Sequence, residues 1–246
     1  MNITTSLSGN KTVKAGEKFD FTVNLFGTAV TFAPYIMVAA KNAAQYGFRK
    51  SQAMLESVLD SNSNNIIWSF MNDKVQMPEV ALLHIPEPDY TNDEECEIKI
   101  NFISPVAFKD LRTKKITKEP EFERIIGSLM RRYSIFESTD GKMINWHFKE
   151  ISEMARKVRI SRMNLEPVNW ERFSTRQQQR IPISGVIGSV SYIGPTAMFE
   201  ELLNAGEILH CGRNATLGQG RINVAQIRHL NNRDESNVFE TNGIKN

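Results

Sequence analysis

The sequence predicts a mixed α+β fold, and three observations predict it. Short runs alternate between apolar and polar residues, as over 18–25 and 98–102, which is the period of a strand. A longer run spaces Phe122, Ile125, Ile126, Leu129 and Tyr133 at three and four, which is the period of a helix. Glycine is concentrated in one place: seven of the fourteen glycines fall within 185–223. At 246 residues the chain can form one large domain or two small ones and bury a real core.

Composition narrows the function classes. No apolar run approaches the ~20 residues that a membrane span needs. The opening MNITTSLSGNK has no apolar signal core, so a cytoplasmic protein without a membrane partner is expected. Cys96 and Cys211 lack CxxC spacing, which argues against a disulfide framework or a cysteine-based zinc site. No histidine pair sits at ligand spacing, and Asp93, Glu94, Glu95 and Glu97 read as solvated, so no metal or other cofactor is expected. The net charge of +2 is unevenly placed. Residues 51–104 hold two basic side chains against ten acids; residues 109–180 hold seventeen against ten. A basic middle suits a polyanion, and it equally suits a solvated face.

The elements follow in order. Residues 18–25 form a strand with Phe19, Phe21, Val23 and Leu25 on one face, ended by Gly27. Pro34 suits a first helical turn, and Tyr35, Ile36, Ala39, Ala40 and Ala43 keep helical spacing towards Gly47. Residues 54–59 and 66–71 read as a hairpin around the turn cluster 62–65. Residues 78–95, rich in proline and acid, read as a connection.

The second half opens with the strand of Ile98, Ile100 and Phe102, ended by Ser104 and Pro105. A basic loop covers 109–118. A helix opens at Pro120 and ends near Arg131 and Arg132, where cations complement the helix dipole. Phe148, Ile151, Ala155 and Val158 mark a short helix, and 158–164 a strand. After the polar NWERFSTRQQQR comes a strand broken by Gly194 and Pro195. Thr196 is the expected N-cap of a short helix with Met198, Phe199, Leu202 and Leu203 as its stripe and Gly206 as its stop. A glycine loop over 212–221 and a last strand complete the order strand, helix, strand, strand, helix, strand. That order is the split βαβ, ferredoxin-like arrangement. The residues after His229 read as a flexible tail or linker. The expected domains are therefore 1–90, 91–229 and a tail over 230–246.

Five features stand in sequence from residue 25 to residue 221. They are Leu25-Phe26-Gly27-Thr28-Ala29 with Pro34-Tyr35; Arg131-Arg132-Tyr133; the run of Trp170, Arg172, Phe173, Ser174, Arg176 and Gln177; Gly185-Val186-Ile187-Gly188; and Ile208-Leu209-His210-Cys211-Gly212-Arg213 followed by Thr216-Leu217-Gly218-Gln219-Gly220-Arg221. As an ordered set they resemble the CRISPR-associated endoribonucleases of the RAMP superfamily, which cut precursor CRISPR RNA within its repeats. The resemblance implies tandem ferredoxin-like (RRM-like) domains and a glycine-rich loop near bound RNA. It also implies metal-independent cleavage that leaves a 2′,3′-cyclic phosphate. One departure concerns the first half, which reads as incomplete, without a leading strand and helix. No histidine precedes His84, whereas many relatives carry the catalytic histidine in or near that helix. This leaves two expectations: an endoribonuclease, or a catalytically inactive RNA-binding RAMP subunit or domain of a larger CRISPR-associated protein. CRISPR repeat RNA is the expected partner, with other CRISPR-associated proteins or a fused or missing N-terminal segment beside it.

Cleavage by general acid–base catalysis needs a base at the 2′-hydroxyl and an acid at the leaving 5′-oxygen, and histidine titrates in the useful range. His210 adjoins the glycine loop and is the catalytic candidate; the competing reading is that it supports the helix-to-loop turn. His147 reads as structural, His84 as packing and His229 as solvated. Arg213 and Arg221 flank a loop in which amides of Gly212, Gly218 and Gly220 could cradle phosphate. Arg172, Arg176 and Arg180 could add phosphate forks, against the plainer reading of a polar hairpin. Lys109, Arg112, Lys114 and Lys115 form a basic loop. The spacing is not that of a nucleotide P-loop, because no Gly-Lys-Ser/Thr follows and the next element is a strand. The aromatic pair of an RNA-binding sheet is missing, which favours recognition by loops.

Overall fold

The structure, a computed structural model, describes residues 1–5, 12–46, 51–72, 74–81, 85, 88, 92, 94–109, 116–117, 119–139, 146–174 and 177–229. The chain divides into two units. The first comprises Met1–Ile85, Arg131–Asn145 and Thr216–Gly218; the second comprises Pro86–Met130, Trp146–Ala215 and Gln219–Asn246. Among the described residues no helix is long and apolar enough to cross a membrane.

In the first unit β1 (Asn2–Thr5) pairs antiparallel with β2 (Phe21–Asn24), Ile3 opposite Val23. β1 carries no alternation that a sequence reading would catch; pairing makes it a strand, and Asn24 Nδ2 donates to Asn2 Oδ1 at 2.8 Å. β2 is shorter than the run over 18–25, and Phe19 and Phe21 stay partly exposed. A 3-10 turn over Gly27–Phe32 leads into α1 (Ala33–Tyr46), which begins where Pro34 suits a helix start. β3 (Ser57–Leu59) and β4 (Ile66–Ser69) form the expected hairpin, shorter than the apolar runs only at its open end. At its tip Asp60 accepts the N–H groups of Asn62 (3.0 Å) and Glu79 (2.8 Å) and the hydroxyl of Ser63 (3.0 Å). Ala33, Met37, Ile67 and Trp68 make the buried cluster, with Leu25, Leu55 and Val58 packed against it. Gly218 sits at φ 82, and a Cβ there would collide with the Ile3 carbonyl, so only glycine fits.

The second unit contains β5 (Cys96–Val106), β6 (Phe108–Lys109), β7 (Ile116–Thr117), α2 (Phe122–Thr139, whose last turns belong to the first unit), α3 (Phe148–Lys157) and β8 (Arg159–Val168). It continues with β9 (Glu171–Ser174), β10 (Gln179–Pro182), β11 (Gly185–Gly194), α4 (Glu200–Leu209) and β12 (Ile222–His229). β12, β5, β11 and β8 form a four-stranded sheet in that order, and every neighbouring pair is antiparallel. β5 and β8 therefore run parallel with β11 inserted between them, which is the split βαβ of a ferredoxin-like domain. Alternation along β5 becomes burial: Cys96, Ile98, Ile100 and Phe102 are buried, whereas Lys99 and Ile103 are exposed. Ile125, Ile126, Leu129, Ile151, Leu202, Leu203 and Leu209 fill the helical side. The Phe122 ring lies 5.2 Å from that of Tyr192 and 5.3 Å from that of Phe199. The enclosed Tyr192 hydroxyl is satisfied by donating to the Pro120 carbonyl at 2.6 Å, and burial pushes its pKa up.

Four expectations change. Ser104 and Pro105 do not end β5, because the register of β11 shifts between Val186 and Gly188 and asks no N–H of the proline. Arg131 and Arg132 do not end α2. Its last turns are held by distant partners: the Tyr133 hydroxyl accepts the Ile85 N–H at 3.1 Å, and Phe136 stacks on Phe26 at 4.4 Å. The Arg132 guanidinium lies 5.6 Å from the Phe136 ring centre. Thr196 does not cap α4; its hydroxyl donates to the Cys96 carbonyl at 3.2 Å. Gly206 does not stop α4 but lies within it, where a Cβ would stand 2.9 Å from Leu129 Cδ1 and from Ile222 Cδ1.

Candidate nucleic-acid interface

The glycine loop is held by its own backbone. α4 ends at His210, at φ 62, whose N–H donates to the Gly206 carbonyl at 2.8 Å. Cys211 N–H then donates to the Gly220 carbonyl at 2.8 Å, closing the base of the loop. Gly220, at φ 68, has the Cys211 carbonyl where a Cβ would stand. Further amides are engaged in turn. Gly212 donates to Ser128 Oγ (2.7 Å), Arg213 to the Ala107 carbonyl (2.8 Å), Gly220 to the Pro105 carbonyl (3.0 Å) and Arg221 to Ser104 Oγ (2.8 Å). Inside the loop the Asn214 side-chain amide donates to Gln219 Oε1 at 3.1 Å, and the Gln219 amide donates to the Ile183 carbonyl.

This bracing corrects one expectation. The amides of Gly212 and Gly220 are taken by protein acceptors, so these glycines give the loop its shape and offer no open anion cradle. The loop presents side chains instead. Arg213 is exposed and Arg221 half-buried, and among the described residues neither guanidinium meets a carboxylate.

The ring of His210 is 0% exposed. A general base must come within hydrogen-bond reach of the hydroxyl it deprotonates. An enclosed ring does not reach one, so the structure supports the helix-to-loop role for His210 over the catalytic role. His147 stands at the N-cap of α3 with its side chain 59% exposed and Nδ1 4.0 Å from Glu150 Oε2. Its position in the sequence suggests a structural place; the one available signal to the contrary is an acid three residues on, within the first helical turn. His84 lies outside the described residues, and the His229 side chain does too.

β9 and β10 turn NWERFSTRQQQR into a polar hairpin. Arg172 stands opposite Ile181 and Arg180 opposite Phe173. Directly paired residues share a face, so Arg172 and Arg180 project to opposite sides of the ribbon. Arg180 lies 3.3 Å from Glu171 Oε2 on the surface. Arg176, Arg112, Lys114 and Lys115 are outside the described residues, and Lys109 is exposed at the end of β6. On the open side of the sheet, polar rows cross the strands: Asn101, Ser189 and Asn164 in one, Lys99, Ser191 and Arg162 in the next. Neither row holds an aromatic side chain. Among the described residues no group of histidine, cysteine and acidic side chains is arranged to hold a metal ion.

Comparison with known proteins gives two family matches. A family model described as an N-terminal domain matches residues 3–80. A second, described as the CRISPR-associated endoribonuclease Cas6, matches residues 100–222, from the middle of β5 through the glycine loop. No curated protein sequence matches the chain. Among solved structures, a Cas6 product complex aligns over 90% of this chain and 81% of its own, with 14% identity and a TM-score of 0.55. A Cas6 from Thermus thermophilus aligns over 55% of each chain, at 15% identity and a TM-score of 0.41. A different Cas6, a point mutant, aligns over 57% of this chain and 55% of its own, at 19% identity and a TM-score of 0.38. The chain thus spans 55% of the length of these last two relatives. The first alignment shows a shared fold, and the family match covers half of the chain. The chain belongs to the CRISPR-associated endoribonuclease Cas6 family.

Proposed function

We propose that this chain binds CRISPR repeat RNA and cuts precursor CRISPR RNA within its repeats, without a metal, leaving a 2′,3′-cyclic phosphate. The single observation that carries the reading is the Cas6 family match over 100–222, which ends on the braced loop displaying Arg213 and Arg221. Each guanidinium offers a planar fork to phosphate oxygens. Arg172 on β9 extends the grip from a second segment, whereas Arg180 projects to the other side of the ribbon beside Glu171. In the reaction the 2′-oxygen bonds to the adjacent phosphorus, and the bond to the 5′-oxygen breaks. A base takes the 2′-proton and an acid supplies one to the leaving oxygen, so no water enters the bond-breaking step. Arginine beside the phosphorus stabilises the added charge.

One observation favours a second reading, in which the chain holds the repeat and does not cut it: the ring of His210 is enclosed. A single assay separates the two. Repeat-containing RNA is incubated with the chain in chelator, and the products are resolved by length and by end group. Cleavage with a cyclic phosphate end supports the endoribonuclease. RNA that is retarded on a gel and stays intact supports the binding module. RNA that is neither cut nor retarded refutes both. Adding His147→Ala and His210→Ala then asks which histidine moves a proton. Loss of cutting with retained binding in His147→Ala alone would assign the exposed residue.

A further inference from the structure

The first unit carries a cavity that the Cas6 family match does not reach. It holds about 300 Å³ and is lined by Lys41, Gln45, Gln52, Met54, Trp68 and Phe70, among others. Local structure explains the lining. Lys41 and Gln45 lie four apart on α1 and share a helix face. Trp68 on β4 and Phe70 just beyond its end both line the cavity, and the Phe70 N–H donates to the Glu56 carbonyl at 2.9 Å. Trp68 is buried and makes the floor, whereas Phe70 is 55% and Met54 65% exposed at the rim. Ala53 N–H donates to the Ala44 carbonyl at 3.0 Å, which pins the segment carrying Gln52 and Met54 to the end of α1. The Lys41 ammonium is held 5.5 Å from the Trp68 ring centre.

The chemistry of this lining is selective. Residues 51–104 carry eight more acids than bases, yet no carboxylate lines the cavity and one lysine does. The exposed Phe70 ring offers stacking area above the buried Trp68. The amides of Gln45 and Gln52 have no hydrogen-bond partner among the described residues, and each presents both a donor and an acceptor. An aromatic face, a cation and paired amides are what a nucleobase and its phosphate require. The volume is at the lower limit for ligand sites, which suits a single base.

We propose that this cavity is a subsite for a single unpaired nucleobase of the bound RNA, stacked on Phe70, with Gln45 and Gln52 at its edge and Lys41 at its phosphate. The proposal rests on the RNA-binding reading above but concerns a separate set of residues. The test uses the full chain and repeat RNA carrying 4-thiouridine at successive positions. Crosslinking confined to one or two nucleotides, mapped to the peptide that holds Phe70, is the expected result. Phe70→Ala should weaken binding about tenfold with an unchanged thermal melt, since the ring is largely exposed. Lys41→Gln should weaken it less and flatten the salt dependence. Equal affinity of Phe70→Ala and the native chain, with Arg213→Ala weakened, would sink the subsite and leave the RNA-binding reading standing. No RNA binding by any variant would sink both. Unchanged RNA affinity with altered sedimentation of Phe70→Ala would give the cavity to a protein side chain and overturn the proposal.

Discussion

The two units bury their apolar residues to very different degrees. In the second, the four-stranded sheet gives α2 and α4 a broad surface to cover, and Ile98, Ile100, Ile125, Leu129, Leu203 and Leu209 are all at 0% exposure. In the first, two separate two-stranded ribbons offer little surface, and four residues make the buried cluster. Phe32, Tyr35, Val38, Tyr46, Met54, Phe70 and Met71 remain between 53% and 93% exposed. A two-stranded ribbon is marginal alone, and its apolar residues have nowhere to go unless a third layer is added. Apolar pattern therefore predicts burial only where the fold supplies a partner surface.

The largest expected effect tests that contrast directly. Leu129→Ala should cost about 4 kcal/mol, because the site is enclosed on all sides. Met37→Ala in the first unit should cost about 2 kcal/mol, the low end of the same range, because a thin core relaxes around the gap. Urea melts of both variants measure this, and equal costs would break the comparison.

Gly220→Ala comes next, at about 2–3 kcal/mol, since it forces a Cβ at φ 68 against the Cys211 carbonyl. If the loop is a display for arginines, this variant also loses RNA affinity. Arg213→Ala with Arg221→Ala should lower affinity while the melt stays put. The slope of log K against log salt should shrink by about one for each phosphate that is no longer neutralised.

A smaller effect belongs to acid pH. The N–H groups of Asn62 and then Glu79 hold the Asp60 carboxyl below its ordinary value, against an opposing contribution from burial, and the Ser63 hydroxyl adds to the lowering. A carboxyl depressed in the folded state stabilises above the unfolded value, and that contribution disappears as pH falls through the folded value. Asp60→Ala should thus lower the melting temperature at neutral pH and flatten its acid limb, as a pH series would record. Lys18→Ala should do least, below about 0.5 kcal/mol, because the Lys18–Glu56 pair at 2.7 Å is exposed on both sides.

The same contrast explains what was legible in the sequence. The buried face of α2 was readable in advance, because Phe122, Ile125, Ile126, Leu129 and Tyr133 are buried at helical spacing. Its end was not, because Arg131 and Arg132 look like a C-terminus, and the turns beyond depend on Ile85 and Phe26, which are remote in sequence. Gly206 carried the same ambiguity: glycine serves both a helix stop and a close approach, and only the Leu129 and Ile222 methyls decide which. β1 left no local trace at all, since a partner strand defines it. At the candidate site the arginines of the loop were readable as exposed cations. The enclosure of His210 was not, and neither was the internal use of the Gly212 and Gly220 amides, which depends on Ser128 and Pro105, residues that the loop meets only once folded.

A loop so widely tied to protein acceptors has its shape set by the protein itself. Encounter with a strand would then need no ordering step, so arrival should be set by diffusion and ionic atmosphere, with few unproductive collisions. If the proposed cleavage holds, departure of the product would be timed by how many phosphates the arginines still contact, and turnover would quicken in rising salt until capture itself fails.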